Sequence, residues 1–369
     1  MHKRLIALAS AAAMILAVMG AGGQETVAAR DLTDQKTVIH HTAAFAGELT
    51  LLRQQMTNEY GDPDVIGGDL GREYLVWETG DKTRVVASLT RVGMENATLS
   101  SSMILNLAED AVVPPGLTTR PSNPSRPNTP KPHEQRSLYP DIVTHGGICG
   151  NVYEEGYILD VYAVSATAFS TYALYGADGP EPRGKPTWIP EDGSEARIQW
   201  MMTDPVLTEL VSSGFHDAIE NPDFQTIWEA SGIANPPSLH ENYVQISSNY
   251  FVANDDFNYE LSQQFRIDPD DRDDLDELIY GEYDGQVHEV GCLDMETAAV
   301  VWTFRQHGIP VAVLRYPSDL ARSDATDEIS NFGATASALG GYTFFYGLQR
   351  VIEAVESSEV EVLDGRVVR

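Results

Sequence analysis

Two short acidic segments in the last third of the chain carry the residues best suited to chemistry. Asp294 and Glu296 flank a methionine at the start of an alanine-rich apolar run that continues to Trp302. Asp319 follows Val311–Leu314, whose composition predicts a buried strand. A carboxylate at a helix start and another just beyond a strand's carboxyl end commonly form the site of an α/β enzyme. The pattern therefore predicts acid–base chemistry carried out by carboxylates.

The histidines and cysteines do not have the spacing of a metal site. The chain contains neither a C-x-x-C nor an H-x-x-x-H pair, which are common ligand spacings for zinc. His40 and His41 end an apolar segment, which favours a structural or pocket-lining role. Cys149 and Cys292 are too few for a disulfide scaffold and leave either one disulfide or two buried thiols. We therefore predict no metal and no cofactor.

The charge of the chain restricts its partners. The 369 residues include 55 acidic and 24 basic side chains, and the formal net charge is −31. Nucleic acid and anionic membrane surfaces both require a basic face, so the composition argues against both as partners. The excess charge favours solubility, with adaptation to saline surroundings as the alternative. The sequence leaves a homodimer open.

The first 29 residues have the pattern of a signal peptide. His2-Lys3-Arg4 supplies the positive start, Leu5–Val18 is apolar, and Val27-Ala28-Ala29 fits a small-x-small cleavage site. The apolar run is short for a membrane span. We therefore expect an exported protein, periplasmic or secreted, whose residues 30–369 form a single domain.

Strand and helix patterns alternate along the rest of the chain, which predicts an α/β sandwich. Two Pro/Gly-rich segments, near 112–140 and 175–190, are predicted to be surface insertions, and the acidic segment 255–285 a mobile, solvated region. Strands are predicted at Lys36–His41, Tyr74–Glu78, Thr83–Leu89, Asp141–Thr144, Val161–Phe169, Asn242–Ala253 and Pro310–Tyr316. Helices are predicted at Ala46–Met56, Asn96–Ala111, Thr203–Ser213, Pro222–Ser231, Glu296–Gln306 and Asn331–Val355.

Several separated segments resemble the nucleoside phosphorylase/nucleosidase superfamily, and in particular its methylthioadenosine/S-adenosylhomocysteine nucleosidase branch. In chain order they are Gly47–Arg53 (GELTLLR), Gly146–Gly150 (GGICG), Ser248–Val252 (SNYFV), Asp294–Glu296 (DME) and Ser318–Asp319. The resemblance implies a three-layer α/β sandwich with a mixed central sheet. It also implies a nucleosidase that hydrolyses the N-glycosidic bond of a purine nucleoside or a 5′-thio-nucleoside and releases the free base.

The resemblance also implies a role for each matching residue. Asp319 matches the acid that donates a proton to the purine N7, and Glu48 matches the glutamate that assists the attacking water. Leaving-group protonation and water activation are what cleavage of this bond requires. The residues that the resemblance places around the substrate are Met295 and Glu296 at the sugar, Phe251, Val252 and Gly147 at the base, and Ser318 and Arg315 beside the acid.

The sequence departs from the family pattern at the glycine-rich segment. Gly147 stands where the family usually has a serine, and Cys149 replaces a glycine. If the resemblance holds, Cys149 and Cys292 both border the base pocket and are close enough in space for a disulfide. The competing interpretation is two small buried hydrophobic side chains.

Two other functions remain open. A phosphorylase of the same fold would use phosphate in place of water, but Glu95 in Gly93-Met94-Glu95 puts a carboxylate where such enzymes have a second glycine. A carboxylate repels phosphate, which favours water, although Arg91 offsets part of that charge. A non-catalytic nucleoside-binding or storage protein on the same scaffold is the other alternative, and the presence of Glu296 and Asp319 favours the enzyme.

Overall fold

The computed structural model describes residues 36–67, 72–107, 138–170, 198–249, 251–270 and 275–369, together with the backbone of four short strands between 173 and 197. The signal peptide predicted over residues 1–29 lies outside the described residues. So do most of the insertion predicted near 112–140 and much of the one near 175–190. No helix in the described part of the chain is long and apolar enough to cross a membrane.

The apolar, β-branched segments form one mixed sheet of eleven strands within the described residues. The strands of the protein are β1 (Thr37–Ala43), β2 (Asp64–Gly67), β3 (Glu73–Glu78), β4 (Thr83–Leu89), β5 (Ile142–Asn151), β6 (Val161–Phe169), β7 (Ala173–Gly176), β8 (Gly179–Pro182), β9 (Thr187–Trp188), β10 (Ala196–Arg197), β11 (Trp200–Met202), β12 (Leu239–Ser247), β13 (Ile279–Tyr280), β14 (Glu289–Asp294), β15 (Val311–Asp319), β16 (Glu361–Leu363) and β17 (Arg366–Val368). The strands β7 to β10, β16 and β17 form separate two-stranded pairs.

The main sheet is built around β5, which is long and buried. It pairs in parallel with β1 on one side and with β15 on the other, and in antiparallel with the end of β14. β1 also pairs in parallel with β4, and β2, β3 and β4 form an antiparallel meander at the edge. Because β1, β5 and β15 run in the same direction, their carboxyl ends meet at one edge of the sheet.

Helices cover both faces of the sheet. They are α1 (Ala46–Tyr60), α2 (Met94–Leu105), α3 (Pro205–Glu220), α4 (Pro222–Ser231), α5 (Asp255–Phe265), α6 (Leu275–Leu278), α7 (Thr297–Gln306) and α8 (Ala325–Glu356). The helices α1, α3, α4 and α8 share one apolar core with the sheet, whereas α2 and α7 contribute to a second core on its other face. The fold is thus the expected three-layer α/β sandwich with a mixed central sheet.

Long helix α8 provides more residues to the first core than any other helix. Leu348, Val351 and Ile352 are at most 4% exposed and belong to the same apolar cluster as Leu52 of α1 and Val211 of α3. These side chains recur at helical spacing, so α8 presents a continuous apolar stripe to its neighbours. Burying a leucine of this kind stabilises the fold by roughly 1.5–3 kcal/mol. The stripe holds α1 against the sheet and thereby fixes the position of the helix that carries Glu48.

Two sequence predictions of secondary structure are wrong. The strand predicted at Asn242–Ala253 ends at Ser247, so Phe251 and Val252 lie in an irregular segment before α5. The acidic segment 255–285 contains α5, α6 and β13 within its described part. The reason is that Leu261 and Phe265 lie on one face of α5 and are buried, whereas the carboxylates of this helix, Asp255, Asp256 and Glu260, are exposed.

Smaller differences concern where elements begin and end. The helix predicted at Asn96–Ala111 begins at Met94, directly after Gly93, whose φ of 99° interrupts the preceding chain. The strand predicted to end at Tyr316 continues to Asp319, which places Ser318 and Asp319 within β15 and not beyond it. Hydrogen bonding between strands is not visible in the sequence pattern, and here it extends the strand past Pro317.

Candidate functional site

The carboxyl end of β5 forms the floor of the candidate site. Gly147 lies opposite Arg315 and Gly150 lies opposite Asp319 in the parallel pairing of β5 with β15. Ala43, the last residue of β1, lies opposite Gly146. The three strands therefore bring the β1–α1 turn, the glycine-rich segment and the end of β15 to a single place.

Both carboxylate oxygens of Glu48 accept hydrogen bonds from backbone N–H groups. Oε2 accepts hydrogen bonds from the backbone N–H groups of Ala44 (2.7 Å) and Phe45 (3.2 Å), and Oε1 accepts one from Ile148 (2.8 Å). Burial raises the pKa of Glu48 to about 7, against the charge of Arg315 and these three hydrogen bonds. A carboxylate with this pKa exchanges protons near neutral pH, which is what a general base requires.

The absence of a side chain at position 147 is a steric requirement of this site. A Cβ atom on Gly147 would lie 2.4 Å from Nη1 of Arg315 and 2.5 Å from Oε1 of Glu48. Both side chains are buried and held by hydrogen bonds to their surroundings. A serine in place of Gly147 would therefore require Arg315 or Glu48 to shift.

Arg315 is the central cation of the site and is fully buried. Its Nη2 lies 2.6 Å from Oδ2 of Asp294, and its Nε donates to Thr297 Oγ1 at 2.8 Å. Burial acts to lower the pKa of Arg315, but the charges of Asp294, Glu296 and Glu48 outweigh it and the pKa is raised. Nη1, the nitrogen beside Gly147, has no hydrogen-bond partner among the described residues. This nitrogen therefore has hydrogen-bonding capacity that no described residue uses.

His145 forms a hydrogen bond with the guanidinium of Arg315. Its Nε2 lies 2.5 Å from Nη2 of Arg315, and its Nδ1 lies 3.0 Å from the carbonyl oxygen of Thr42. The guanidinium can only donate, so Nε2 accepts and Nδ1 carries the proton. Burial and the charge of Arg315 lower the pKa of His145 well below its usual value, so the ring is neutral. The neutral ring orients the guanidinium without adding to its charge.

Asp294 stabilises the start of α7 and pairs with Arg315 at the same time. It accepts hydrogen bonds from the N–H of Thr297 (3.1 Å to Oδ2) and from the hydroxyl of Ser247 (2.5 Å to Oδ1). The carboxylate thus satisfies an N–H group at the helix start, where negative charge is favourable. Loss of one partner of a buried ion pair typically costs about 3–5 kcal/mol, so Asp294 is essential to the architecture of the site.

Glu296 immediately precedes α7 and reaches the turn after β4. Its Oε1 accepts a hydrogen bond of 2.9 Å from the N–H of Gly93. Burial, and then the charge of Asp294, raise the pKa of Glu296 to about 7, with Arg315 opposing. Glu296 is 5% exposed, and Met295 beside it is partly exposed. The second oxygen of Glu296 remains available for a ligand hydroxyl.

Asp319 ends β15 and is almost fully buried. Its Oδ1 accepts from the N–H of Ala321 at 2.9 Å, and its Oδ2 accepts from the hydroxyl of Ser318 at 2.9 Å. Burial raises the pKa of Asp319 to about 6, although both hydrogen bonds oppose the shift. The group is therefore protonated in a substantial fraction of molecules at slightly acid pH, as a general acid must be.

The two residues expected at the base differ in exposure. Val252 is buried in the same apolar cluster as Leu293 and Ala321, which places it beside the ends of β14 and β15. Phe251 is 48% exposed, an unusual position for an aromatic ring that follows a buried strand. Neither residue belongs to the polar network around Arg315.

Cys149 and Cys292 are buried free thiols in the structure and form no disulfide. They pack with Tyr162 in a small cluster of their own. Burial, followed by hydrogen bonding to the Cys292 thiol, raises the pKa of Cys149 well above its usual value. The expected proximity of the two residues is thus present, and the interpretation as two buried thiols describes the observed state.

The structure brings most of the residues identified in the sequence into one network. Glu48, Gly147, Glu296 and Arg315 are linked by contact or by charge, and Ser318 and Asp319 lie three and four residues beyond Arg315 on β15. Sequence reasoning missed His145 and Thr297, which contact Arg315, and Ser247, which donates to its partner Asp294. Asp294 was noticed as an acidic residue, but its ion pair with Arg315 was not expected. Only strand register reveals these contacts.

The fold has known counterparts among solved structures. The methylthioadenosine/S-adenosylhomocysteine nucleosidase of Helicobacter pylori superposes with a TM-score of 0.54 at 18% sequence identity, covering 86% of this chain and 99% of that one. Futalosine hydrolase of Helicobacter pylori gives 0.53 at 17% identity, covering 85% and 97%. The S-adenosylhomocysteine nucleosidase of Streptococcus pyogenes gives 0.54 at 15% identity, covering 86% and 98%.

These likenesses establish the fold of the chain, which is the α/β fold that these solved nucleosidases and futalosine hydrolase share. No protein-family model matches the sequence, and no curated protein does either. The chain therefore shares its architecture with these enzymes at low sequence identity.

Proposed function

We propose that the protein is a nucleosidase that hydrolyses the N-glycosidic bond of a purine nucleoside or 5′-thio-nucleoside and releases the free base. The observation that carries the proposal is a set of three buried carboxyl groups, Glu48, Glu296 and Asp319, whose pKa values are raised to between about 6 and about 7. The charge of Arg315 acts on Glu48 and Glu296, and Asp319 lies four residues beyond Arg315 on β15. The solved nucleosidases that share the fold support the same class of reaction.

Asp319 acts as the general acid. Its protonated carboxyl donates to N7 of the purine, which lets the base leave with the electron pair of the C1′–N9 bond. Protonation of a leaving group by a positioned acid typically contributes about 10²–10⁴-fold to the rate. Burial keeps the proton on Asp319 to a higher pH than an exposed aspartate would retain it.

Glu48 acts as the general base. As the C1′–N9 bond lengthens, the sugar acquires positive charge and a water molecule attacks C1′, as in other glycoside hydrolyses. Glu48 takes a proton from that water. The backbone N–H groups of Ala44 and Ile148 donate hydrogen bonds to its carboxylate and keep it fixed. Arg315 beside it limits the negative charge that this end of the site accumulates.

Glu296 binds the sugar hydroxyl groups. One of its oxygens is occupied by the N–H of Gly93, which orients the carboxylate, and the other accepts from the ribose. Met295 packs beneath the sugar, and Phe251 and Val252 contact the base. The raised pKa of Glu296 leaves it partly protonated near neutrality, so it is both a donor and an acceptor for a diol.

The phosphorylase alternative is less well supported by the geometry. A phosphate nucleophile would approach the sugar from the side of Glu48, where a buried carboxylate would repel it. Glu95, which is exposed, adds a second negative charge near the Gly93 turn. Water carries no charge and avoids both penalties.

We also propose that the protein is exported from the cytoplasm. The basic start and apolar run of residues 2–18 support export to the periplasm or the medium. An exported nucleosidase would act on nucleosides outside the cytoplasm. A fusion of residues 1–29 to a reporter enzyme that is active only after export tests this directly, and activity retained in the cytoplasm alone would contradict it.

The decisive experiment is base release by purified protein lacking residues 1–29. Adenosine, inosine and 5′-methylthioadenosine are incubated with and without inorganic phosphate, and both products are separated by chromatography. We expect free base together with free ribose or 5-methylthioribose under both conditions. A sugar 1-phosphate that forms only with phosphate would identify a phosphorylase. Binding of nucleoside without release of base would identify a binding or storage protein.

A further inference from the structure

A second polar cavity lies away from the carboxylate site, where β6 and β12 meet the start of α3. Its volume is about 190 Å³, and none of the residues of the carboxylate site lines it. A serine, a histidine and an aspartate are part of its lining: Ser165, His288 and Asp284. These residue types serve as nucleophile, base and orienting carboxylate in many acyl-transfer sites.

The three side chains form a continuous chain of hydrogen bonds. Ser165 Oγ lies 2.6 Å from Nδ1 of His288, and Nε2 of His288 lies 2.8 Å from Oδ1 of Asp284. Burial acts to raise the pKa of Asp284, but hydrogen bonds from His288 and from the N–H of Gln286 outweigh it and the pKa is lowered. The carboxylate can only accept, so Nε2 carries the ring proton and Nδ1 accepts from Ser165. The other acceptor near the serine hydroxyl, the carbonyl oxygen of Tyr243, is farther away at 3.2 Å.

The imidazole of His288 is held firmly in this position. Its backbone exchanges two hydrogen bonds with that of Ile267, at 2.9 and 3.0 Å. Its side chain is 2% exposed, and the ring of Tyr283 lies against it with the two ring centroids 5.5 Å apart. Asp284 is held in turn by the N–H of Gln286 at 2.9 Å. A base that is oriented by a third, fixed group is what activation of a hydroxyl nucleophile requires.

Ser165 stands at an irregularity of the main sheet. In the parallel pairing of β6 with β12, Val164 lies opposite Tyr243 and Ala166 lies opposite Val244, so the pairing skips Ser165. Ser165 is also partly exposed, whereas its neighbours on both sides are buried. Irregularities of this kind are frequent next to active sites, because they turn a side chain out of the regular alternation of the strand.

Strand β12 is irregular at the same place. Its register with β6 shifts between His240 and Tyr243, and Asn242 in that interval has a φ of 62°. Asparagine is one of the residues that tolerate this left-handed conformation. Asn242 lines the cavity, and a side-chain amide is a suitable donor for the oxyanion that forms when a nucleophile attacks a carbonyl group.

We propose that Ser165, His288 and Asp284 form a second catalytic site, which hydrolyses short-chain esters through an acyl-serine. Ser165 Oγ attacks the carbonyl carbon of the ester while its proton passes to Nδ1 of His288. The tetrahedral intermediate then breaks its bond to the alcohol oxygen, and the alcohol leaves with the proton from His288. Water attacks the acyl-serine in the same way, which releases the carboxylic acid and returns the proton to Ser165 Oγ.

The cavity restricts the substrate to a small ester without negative charge. A volume of about 190 Å³ is below the usual range for drug-sized ligands, so the acyl group must be short. Four carboxylates line the cavity: Glu209, Glu241, Glu282 and Asp284. Ion pairs with surface arginines offset the charge of Glu209 and Glu282 only. The remaining negative charge disfavours acidic esters.

Hydrolysis of para-nitrophenyl acetate and labelling by a fluorophosphonate probe test the proposal on the purified protein. The probe phosphonylates an activated serine, and peptide mass spectrometry identifies the residue that carries it. We expect the label on Ser165 in the wild type and its loss in Ser165→Ala and His288→Gln. We also expect kcat/KM for the ester to fall by at least about 100-fold in both variants.

Ser212→Ala is the matched control. Ser212 lines the same cavity, but its hydroxyl donates to the carbonyl oxygen of Glu209 at 3.2 Å and not to a histidine. This variant should keep the label and the rate of the wild type. Asp284→Asn changes an exposed residue, so it should keep the fold, as urea unfolding would show, while the rate falls at least about tenfold.

Three results would overturn the proposal. They are a label on residues other than Ser165, absence of both label and turnover in the wild type, and ester hydrolysis by Ser165→Ala at the rate of the wild type. Because the assay contains no nucleoside, its result is independent of whether the protein hydrolyses nucleosides.

Discussion

At the level of single residues, burial raises the pKa values of the carboxyl groups in the candidate site. Glu48, Glu296 and Asp319 are ordinary carboxylic acids whose pKa values rise to about 7, 7 and 6 because the folded protein removes them from water. Buried Arg315 prevents a larger rise in Glu48 and Glu296. Pairs of carboxyl groups tuned to different degrees by their surroundings are a recurrent basis for acid–base assignments.

Asp319→Asn tests the general acid. The amide keeps the shape and accepts a hydrogen bond, but it cannot donate a proton of comparable acidity to the base. We expect kcat for base release to fall by about 10²–10⁴-fold with little change in KM. Asp324→Asn, at an exposed aspartate five residues along the chain, is the control and should retain full activity. Turnover of the Asp319 variant within a few-fold of the wild type would remove Asp319 from the mechanism.

Gly147→Ala tests the steric requirement beside Arg315. The added methyl group would lie about where Nη1 of Arg315 and Oε1 of Glu48 already are, so one of these side chains must move. We expect a loss of activity of at least about tenfold and a destabilisation of roughly 1–3 kcal/mol from overpacking.

The matched control for that substitution is Gly333→Ala in α8. A Cβ atom there meets Ile329 Cγ1 at 3.4 Å, an ordinary contact, and alanine favours the helix. The two variants are compared by steady-state kinetics and by urea unfolding. Equal effects at the two positions would show that Gly147 has no special steric role.

At this level the candidate reacting groups are easier to identify from the sequence than the side chains that hold them. Glu48, Glu296 and Asp319 stand in short local motifs. His145 and Thr297, which contact Arg315, and Ser247, which donates to Asp294, have no such motif, because their contacts depend on the register of β5, β12 and β15. The pairing of strands distant in sequence is decided by packing and not by local pattern.

At the level of secondary-structure elements, the register of β5 positions the site. β5 meets β1, β14 and β15, so its glycine-rich end faces residues from three separate parts of the chain. The alternation of strands and helices in the sequence predicted this layer arrangement. The sequence pattern did not predict helix α5. The many carboxylates between 255 and 277 indicate a solvated segment, and the apolar face of the helix is formed by only two residues, Leu261 and Phe265.

The contact between β5 and β14 predicts the behaviour of the two cysteines. Both thiols are buried, and burial raises the pKa of Cys149 well above its usual value, so very little reactive thiolate is present. We expect no reaction of the native protein with a thiol reagent over minutes, and two reactive thiols per chain after denaturation without reductant. Fewer than two would show that the pair oxidises to the disulfide considered from the sequence.

At the level of the whole molecule, the three-layer sandwich was predictable because its periodic patterns are long and regular. The excess of acidic residues, with a formal charge of −31, favours solubility and contributes nothing to the choice of fold. Whether the chain forms a homodimer stays a prediction, which sedimentation at several protein concentrations would test.

The raised carboxyl pKa values predict how the stability of the whole protein depends on pH. Carboxyl groups in an unfolded chain titrate near pH 4, whereas Asp319 in the folded protein has a pKa of about 6 and Glu48 one of about 7. Between these values the folded state binds more protons than the unfolded state. Their contribution to stability is therefore complete below about pH 4 and is lost as the pH rises through about 6 to 7.

We expect the free energy of unfolding of wild type, measured in urea relative to that of Asp319→Asn, to fall by roughly 1–3 kcal/mol between about pH 5 and pH 8. The comparison isolates Asp319, because the buried neutral histidines His40, His41 and His145 contribute equally to both proteins. The neutral amide cannot lose a proton, so it avoids the cost of a buried negative charge at high pH. The measurements are made in about 0.5 M NaCl, because salt screens the repulsion among the many surface carboxylates. The exposed Asp324→Asn variant should follow the wild type. Parallel curves for wild type and Asp319→Asn would show that Asp319 ionises in the folded protein as freely as in the unfolded chain.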